Sequence, residues 1–185
     1  MTAYTALSLQ GAKKVTVFNA KASNTSDLYG TPQSAFDLLA PYLPESKTYW
    51  EPCRGYGAIE GFLRDRGLDV VGSDISSGQD ALIWEPTKWD IAVTNPPWSL
   101  KGEFLDRFYS LGKPFAMLLP CDLVNGKRTA LFKKYGVQLI VPSWRVRYLR
   151  FDGEKPVETS APNTGSAWFC FGLGLPQDLI FVTKP

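Results

Sequence analysis

Short apolar runs alternate with longer amphipathic stretches along most of this chain, a pattern typical of strands that alternate with helices. The predicted strands are Thr48–Glu51, Leu68–Ile75, Ile91–Val93, Pro114–Pro120, Val137–Val141, Trp144–Phe151 and Ser166–Gly174. Helical periodicity predicts helices that begin at Pro32, span Ile59–Arg66 and Ser99–Leu111, and end near Tyr135. Strands with few polar positions are expected where helices cover both faces of a parallel sheet. The pattern therefore predicts an α/β domain.

The bulk properties predict one domain without a membrane span. The chain has 185 residues, 44% of them hydrophobic, and a formal charge of +2. Residues 1–28 are predicted to form an arm with a short strand at Lys14–Phe18, and residues 29–185 to form the domain. No apolar run approaches membrane-spanning length and no signal peptide is visible, so the cytoplasm is the expected location. The three cysteines have no CxxC spacing and predict neither a disulfide frame nor a metal site.

The most informative stretch is the Asp90–Trp98 segment, in which an apolar strand ends in Asn95-Pro96-Pro97-Trp98. Neither proline can donate to a ladder, so a rigid corner is expected at the carboxyl end of the strand, where open α/β sheets bind ligands. The Asn95 side-chain oxygen and the Pro96 carbonyl could accept from the two N–H groups of a conjugated amine. Trp98 could stack on a base taken out of its helix. The alternative is a tight turn with Trp98 packed on the core.

These residues resemble the Asn-Pro-Pro-aromatic motif of class I S-adenosylmethionine-dependent methyltransferases that methylate amino groups, most closely the small phage-type DNA N6-adenine enzymes. The resemblance covers about residues 29–174. It implies a Rossmann-like, seven-stranded, mostly parallel sheet closed by an antiparallel hairpin, in which the last strand pairs with the strand before the Asp152–Gly165 loop. It implies methyl transfer from S-adenosylmethionine to N6 of adenine in DNA, with low or short-site sequence selectivity.

Cofactor-binding residues are expected along the first half of the domain. Asp74 ends a strand about twenty residues after the Gly-x-Gly turn, as in folds that bind ribose hydroxyls; its alternative role is to cap the next segment. The resemblance adds the loop Glu51-Pro52-Cys53-Arg54-Gly55-Tyr56-Gly57, the pair Asp80-Ala81 for the cofactor's adenine, and Tyr29, Thr31 and Pro32 over its methionine end. Ile75, next to Asp74, belongs to the same set. Asp80 could instead cap a turn, and Thr31 is a good helix N-cap with Pro32 at the first helical position.

Nucleic-acid contacts are predicted from basic residues near aromatic ones. If Trp144–Phe151 is extended, Arg145 and Arg147 share one face and Val146 and Tyr148 the other. Lys127 and Arg128 precede a helix and are further candidates for phosphate contact, although a solvated role is common for such residues. The modest charge leaves open the same chemistry on RNA adenine or a protein glutamine amide, or a module that binds cofactor or DNA without catalysis.

Overall fold

The described part of the chain contains nine strands and four α-helices. The computed structural model describes residues 29–152, 155–159 and 164–184, so the arm and its predicted strand at Lys14–Phe18 lie outside the described residues. The strands are β1 Thr48–Glu51, β2 Asp69–Gly72, β3 Ile91–Thr94, β4 Phe115–Pro120, β5 Gln138–Pro142, β6 Leu149–Asp152, β7 Lys155–Glu158, β8 Ser166–Phe171 and β9 Leu179–Val182. The helices are α1 Gln33–Leu39, α2 Ala58–Asp65, α3 Lys101–Leu111 and α4 Thr129–Tyr135.

Seven strands form one sheet in the order β2-β1-β3-β4-β8-β5-β9. The pairs β1–β2, β1–β3, β3–β4 and β5–β9 are parallel, and β8 runs antiparallel to both of its neighbours, β4 and β5. This confirms the predicted α/β class with a seven-stranded, mostly parallel sheet. The carboxyl ends of β1, β2 and β3 consequently meet at one edge, the topological position at which open α/β sheets bind ligands.

Two predictions about the last third of the chain are wrong. Only residues 149–151 of the predicted strand Trp144–Phe151 lie in a strand, β6. This strand pairs with β7 in a separate two-stranded sheet and not, as predicted, with β8. The Asp152–Gly165 segment therefore contains a strand and is not loop throughout. The seventh strand of the main sheet is instead β9, which was not predicted and which lies at the edge beside β5.

Each face of the sheet has its own apolar core, which explains why the strands are apolar at nearly every position. Tyr49 of β1 faces α1 and α2, and its neighbour Trp50 faces α3; both side chains are 0% exposed. Helix α1 buries Phe36 and Leu39 as its periodicity predicts. It begins one residue later than expected, because Pro32 occupies the N-cap, where its side chain makes no capping hydrogen bond. The predicted cap at Thr31 is wrong, and Thr31 is buried at 3% exposure.

Candidate functional site at the carboxyl edge of the sheet

The loops after β1 and β2 are joined by backbone hydrogen bonds at the carboxyl edge. Ser73 donates its N–H to the Glu51 carbonyl at 2.9 Å, and Arg54 donates its N–H to the Ser73 carbonyl at 2.9 Å. Gly55 and Gly57 adopt φ values of +48° and +79°, so both lie in the left-handed region that favours glycine. The sequence-predicted turn is present, and Gly57 is the N-cap of α2.

Arg54 fixes the outer side of this loop through an ion pair. Its Nε lies 2.6 Å from Glu60 Oε2, and Glu60 Oε1 pairs with Arg64 one turn later on α2. The Glu60 side chain is only 10% exposed, whereas the two arginines are more than half exposed. The loop is thereby tied to the first turn of α2. Sequence analysis did not single out Glu60, although its position three residues after Gly57 places it in that turn.

Asp74 takes the role of a cap and of a loop anchor. Its Oδ1 accepts from Ser76 N–H and its Oδ2 accepts from Gly55 N–H, each at 2.9 Å. Asp74 therefore caps the next segment, which was its alternative role, and it also binds the glycine loop directly. Each carboxylate oxygen has a second lone pair. Asp74 is only partly buried, so a ribose hydroxyl could still approach it.

Asp80 also caps a turn, because its Oδ1 accepts from Leu82 N–H at 3.0 Å. Ala81 is buried at 3% exposure and packs in the core on the α3 side. Ile75, next to Asp74, is 50% exposed. Of Ala81 and Ile75, which were both predicted to bind the cofactor, only Ile75 therefore presents an exposed surface.

Glu51, unlike Asp74 and Asp80, is buried. It is 1% exposed; Oε1 accepts from Cys53 N–H at 3.0 Å, and Oε2 has no hydrogen-bond partner among the described residues. Burial raises the pKa of Glu51 to about 8, and the negative charges of Glu60 and Asp74 act in the same direction. Hydrogen bonding from the Thr94 hydroxyl and from Cys53 N–H opposes this rise, although the Thr94 contact falls outside ordinary hydrogen-bond geometry.

Two more side-chain oxygens without hydrogen-bond partners in the described part of the chain lie at the end of β3, the Thr94 hydroxyl and the Asn95 amide oxygen. Thr94, the last residue of β3, is 0% exposed, and its Oγ1 makes no hydrogen bond within the described chain. The next residue, Asn95, is partly buried, and its Oδ1 is shielded from solvent and likewise unpaired. A buried acceptor without a donor is costly, and it is usually explained by a missing water, ion or ligand. Pro96 is buried, Pro97 is partly buried, and β3 ends at Thr94, directly before Asn95 and the two prolines.

Trp98 packs on the core, as the alternative interpretation expected. Its Nε1 donates to the Leu118 carbonyl at 3.2 Å, and its ring meets that of Tyr148 edge to face, with centroids 5.4 Å apart and planes at 88°. It contacts both core clusters but remains partly exposed. The indole is thus held by contacts with β4 and with Tyr148.

The segment that begins at Tyr29 lies against the β6–β7 hairpin. Gly30 exchanges two backbone hydrogen bonds with Leu149, of 2.7 and 2.9 Å. The Tyr29 ring is 39% exposed and lies 6.1 Å from the Tyr148 ring, with Arg150 on it at 5.6 Å. Tyr29 therefore joins the aromatic contacts around Trp98. No described contact joins Tyr29 to the glycine loop.

The predicted basic residues divide into two kinds. Arg145 and Arg147 are exposed while Val146 and Tyr148 are each 2% exposed, so the predicted alternation is present. Arg147 lies 3.9 Å from Glu158, and both side chains remain about two-thirds exposed. Lys127 is exposed as well.

Arg128, by contrast, is held within the fold. Its guanidinium occupies the space over Gly102 where a Cβ would lie, and its Nη1 is 3.8 Å from Asp106 Oδ2. Among these four cations, Arg145, Arg147 and Lys127 are the ones presented to solvent.

The described residues hold neither a candidate metal site nor a membrane-spanning helix. They contain no cluster of three or more His, Cys, Asp or Glu side chains suited to a metal ion. Nor does any helix among them have the length and apolarity needed to cross a membrane.

The comparisons with known proteins concern the fold. No family model matches the sequence, and no curated protein matches it either. Among solved structures, the chain is similar to a dimethyladenosine transferase from Plasmodium falciparum, with 11% identity and a TM-score of 0.47 over 78% of this chain. The chain spans 62% of that protein's length.

Two further solved structures show the same degree of similarity. One, described as an RNA methyltransferase from Pyrococcus horikoshii, has 14% identity and a TM-score of 0.45, over 77% of this chain and 85% of its own. The other is the tRNA methyltransferase TrmI from Aquifex aeolicus, with 16% identity and a TM-score of 0.41, over 76% and 68%. These are distant similarities, and the assignment of a function rests on the site itself.

Proposed function

We propose that this chain transfers a methyl group from S-adenosylmethionine to the exocyclic amino group of adenine in DNA. The observation that carries the proposal is the Asn95 side-chain oxygen, an acceptor that is buried and unpaired at the carboxyl end of β3. An amino group conjugated to a ring offers the donor that this oxygen lacks, and its two N–H groups match two acceptors, Asn95 Oδ1 and the Pro96 carbonyl. Hydrogen bonds from these N–H groups would stabilise the positive charge that develops on the attacking nitrogen.

The residues at the edge of the sheet fit the cofactor. S-adenosylmethionine has a net positive charge, and Glu51 is an enclosed carboxyl that forms no ion pair within the described residues. Gly55 and Gly57 leave the backbone of the loop open to close approach, and Asp74 retains lone pairs suited to ribose hydroxyls. Ile75 offers an exposed apolar surface beside Asp74. When bound, the cofactor supplies a methyl group activated by a positively charged sulfur.

The chain's own residues would then orient and enclose the adenine that receives the methyl group. The two prolines keep the Asn95–Trp98 corner stiff, so that its acceptors are positioned before the reaction and need little rearrangement during it. Trp98 would stack on the extruded base with its exposed surface. The chain contains no histidine, and attack by a neutral amine needs no prior deprotonation. Arg145, Arg147 and Lys127 would bind phosphates.

The test is methyl transfer by the purified chain with labelled cofactor and, separately, DNA, RNA and protein. We expect N6-methyladenine in DNA, identified by mass spectrometry of the nucleosides. If the label appears in RNA adenine or in protein glutamine instead, that molecule is the substrate and not DNA. Cofactor binding without transfer to any of the three would indicate a non-catalytic module.

Two substitutions separate the chemistry from cofactor binding. Asn95→Ala should lower transfer by about 10²-fold or more, the usual cost of an electrostatic catalytic group, and leave cofactor affinity nearly unchanged. Asp74→Ala should weaken cofactor binding, as measured by calorimetry. Asn125→Ala removes an exposed asparagine and is the matched control. Near-normal turnover by Asn95→Ala would contradict the mechanism.

A further inference from the structure

Two contacts of the Trp98 ring have a defined direction, beside its packing against both core clusters, and one of the two depends on a single side chain. The first is the hydrogen bond from Nε1 to the Leu118 carbonyl, at 3.2 Å. A ring held by one hydrogen bond can still tilt about it. The Tyr148 ring, with its centroid 5.4 Å from that of the indole and its plane nearly perpendicular, packs against the indole and restricts that tilt.

Tyr148 is itself held on several sides. Its hydroxyl donates to Ser166 Oγ at 2.9 Å, at the start of β8. Its carbonyl accepts from both the N–H and the Oγ1 of Thr159, at 2.9 and 3.2 Å. The side chain is 2% exposed, and the ring of Tyr29 lies 6.1 Å from it. Tyr148 is therefore a rigid support for whatever packs on it.

The same segment displays two cations to solvent. Arg145 and Arg147 are exposed while Val146 and Tyr148 are buried, and none of these four residues belongs to a strand. Arg147 directly precedes Tyr148, so the cation and the aromatic ring point away from each other along one extended stretch. A phosphate held by Arg145 and Arg147 would fix the backbone from which Tyr148 contacts Trp98.

We infer that Tyr148 is a positioning residue, which holds the Trp98 indole in the orientation that receives the target base and links it to the arginine-bearing segment. The inference rests on the proposed function and adds a specific support to it. Tyr148 does not touch the reacting atoms. It acts through Trp98.

The experiment compares Tyr148→Leu and Tyr148→Phe with Tyr109→Leu. Tyr109 is an apt control because it is equally buried, meets Phe115 edge to face at 5.0 Å, donates its hydroxyl to the Gly136 carbonyl, and lies on α3 on the opposite face of the sheet. Two quantities are measured: hydrogen exchange of the Trp98 indole N–H by NMR, and the kcat and KM of methyl transfer to an adenine-containing oligonucleotide.

We expect Tyr148→Leu to speed exchange of the Trp98 indole and to lower kcat by roughly tenfold, since small misplacements in an active site cost about one to two orders of magnitude. Cofactor affinity should stay the same. Tyr148→Phe keeps the ring and should keep both properties within about twofold, while Tyr109→Leu should lower the melting temperature alone. If Tyr148→Leu does not fold, Tyr148→Met is used in its place, because the unbranched methionine side chain adapts to irregular space.

Two outcomes would overturn the inference: native indole exchange in Tyr148→Leu, or faster exchange with an unchanged kcat. A different result would overturn the proposed function. If the unsubstituted protein methylates no nucleic acid, the catalytic part of the inference fails with that proposal, and the exchange rates still decide whether Tyr148 holds Trp98.

Discussion

Replacing Glu51 by glutamine should make the free energy of unfolding less dependent on pH. The pKa of Glu51 is raised to about 8 because the carboxyl is buried, against an ordinary value of 4.5. Between these two values the folded chain holds a proton on Glu51 that the unfolded chain has released. The stabilisation from this group is thus complete below about pH 4.5 and is lost as the pH rises toward 8.

The magnitude follows from one bound proton. A difference of one proton between the folded and unfolded states changes the free energy of unfolding by about 1.4 kcal/mol per pH unit. From pH 5 to pH 7 the wild-type chain should therefore lose roughly 2 to 3 kcal/mol through Glu51. Glutamine is neutral at every pH, has the shape of the protonated acid, and keeps an acceptor for Cys53 N–H. The Glu51→Gln chain should gain stability over wild type by this amount as the pH rises.

The assay is urea denaturation followed by circular dichroism at pH 5, 6, 7 and 8. The other carboxyl groups are common to both chains, so the difference between the two curves isolates Glu51. Glu103→Gln removes an exposed carboxylate from α3 and controls for the loss of one negative charge. The reasoning would be refuted if the free energies of unfolding of wild type and Glu51→Gln differed by the same amount at all four pH values.

Three further predictions concern the cofactor, the loop and the nucleic acid. Because a bound cation favours the ionised form of Glu51, the affinity for S-adenosylmethionine should rise from pH 6 to pH 8 in wild type and stay flat in Glu51→Gln. Calorimetry in two buffers should show proton release on binding by wild type alone. Gly57→Ala places a side chain at φ +79° and should lower stability by about 1 to 2 kcal/mol, measured by urea denaturation, whereas Gly61→Ala, inside α2 with open space around it, should not. Arg145→Ala and Arg147→Ala should each reduce the dependence of log affinity on log salt by about 0.9 if each arginine binds one phosphate of duplex DNA, and an unchanged slope in a binding titration would remove that residue from the interface.

The local pattern predicted those features whose causes are local. Glycines at positions 55 and 57 predicted the turn because few other residues adopt its backbone angles, and both have positive φ. The two prolines predicted the end of β3, and alternation in the Trp144–Phe151 segment predicted which side chains are buried. In each case the local sequence alone restricts the backbone angles or determines which side chains are buried.

Features that depend on a distant partner could not be predicted in this way. Alternation indicates an extended chain but not its neighbour, so the hairpin of β6 with β7 was missed, as was β9 at the edge of the sheet. The contact of Trp98 with Tyr148 joins positions fifty residues apart in the sequence. The phosphate contact of Arg128 stays a prediction, whereas the position of its guanidinium over Gly102 depends on the packing of α3 against that segment and has no signal in the local sequence.

The distribution of unpaired polar atoms distinguishes the carboxyl edge from the rest of the described chain. Six buried side-chain atoms in the described residues have no hydrogen-bond partner. Three of them, on Glu60, Arg107 and Arg128, belong to side chains that form ion pairs.

The other three are Glu51 Oε2, Thr94 Oγ1 and Asn95 Oδ1, on side chains at the ends of two adjacent parallel strands, and none of the three side chains has an ion-pair partner. Each unpaired buried acceptor costs about 1 to 3 kcal/mol, so a fold selected for stability alone would not collect three in one place. Asn95 Oδ1 is an acceptor only, and Glu51 Oε2 is an acceptor whenever the carboxyl is ionised, whereas the Thr94 hydroxyl can also donate. A conjugated amine would supply the donor that Asn95 lacks, and a positively charged cofactor would favour the ionised form of Glu51, whereas an apolar ligand would do neither.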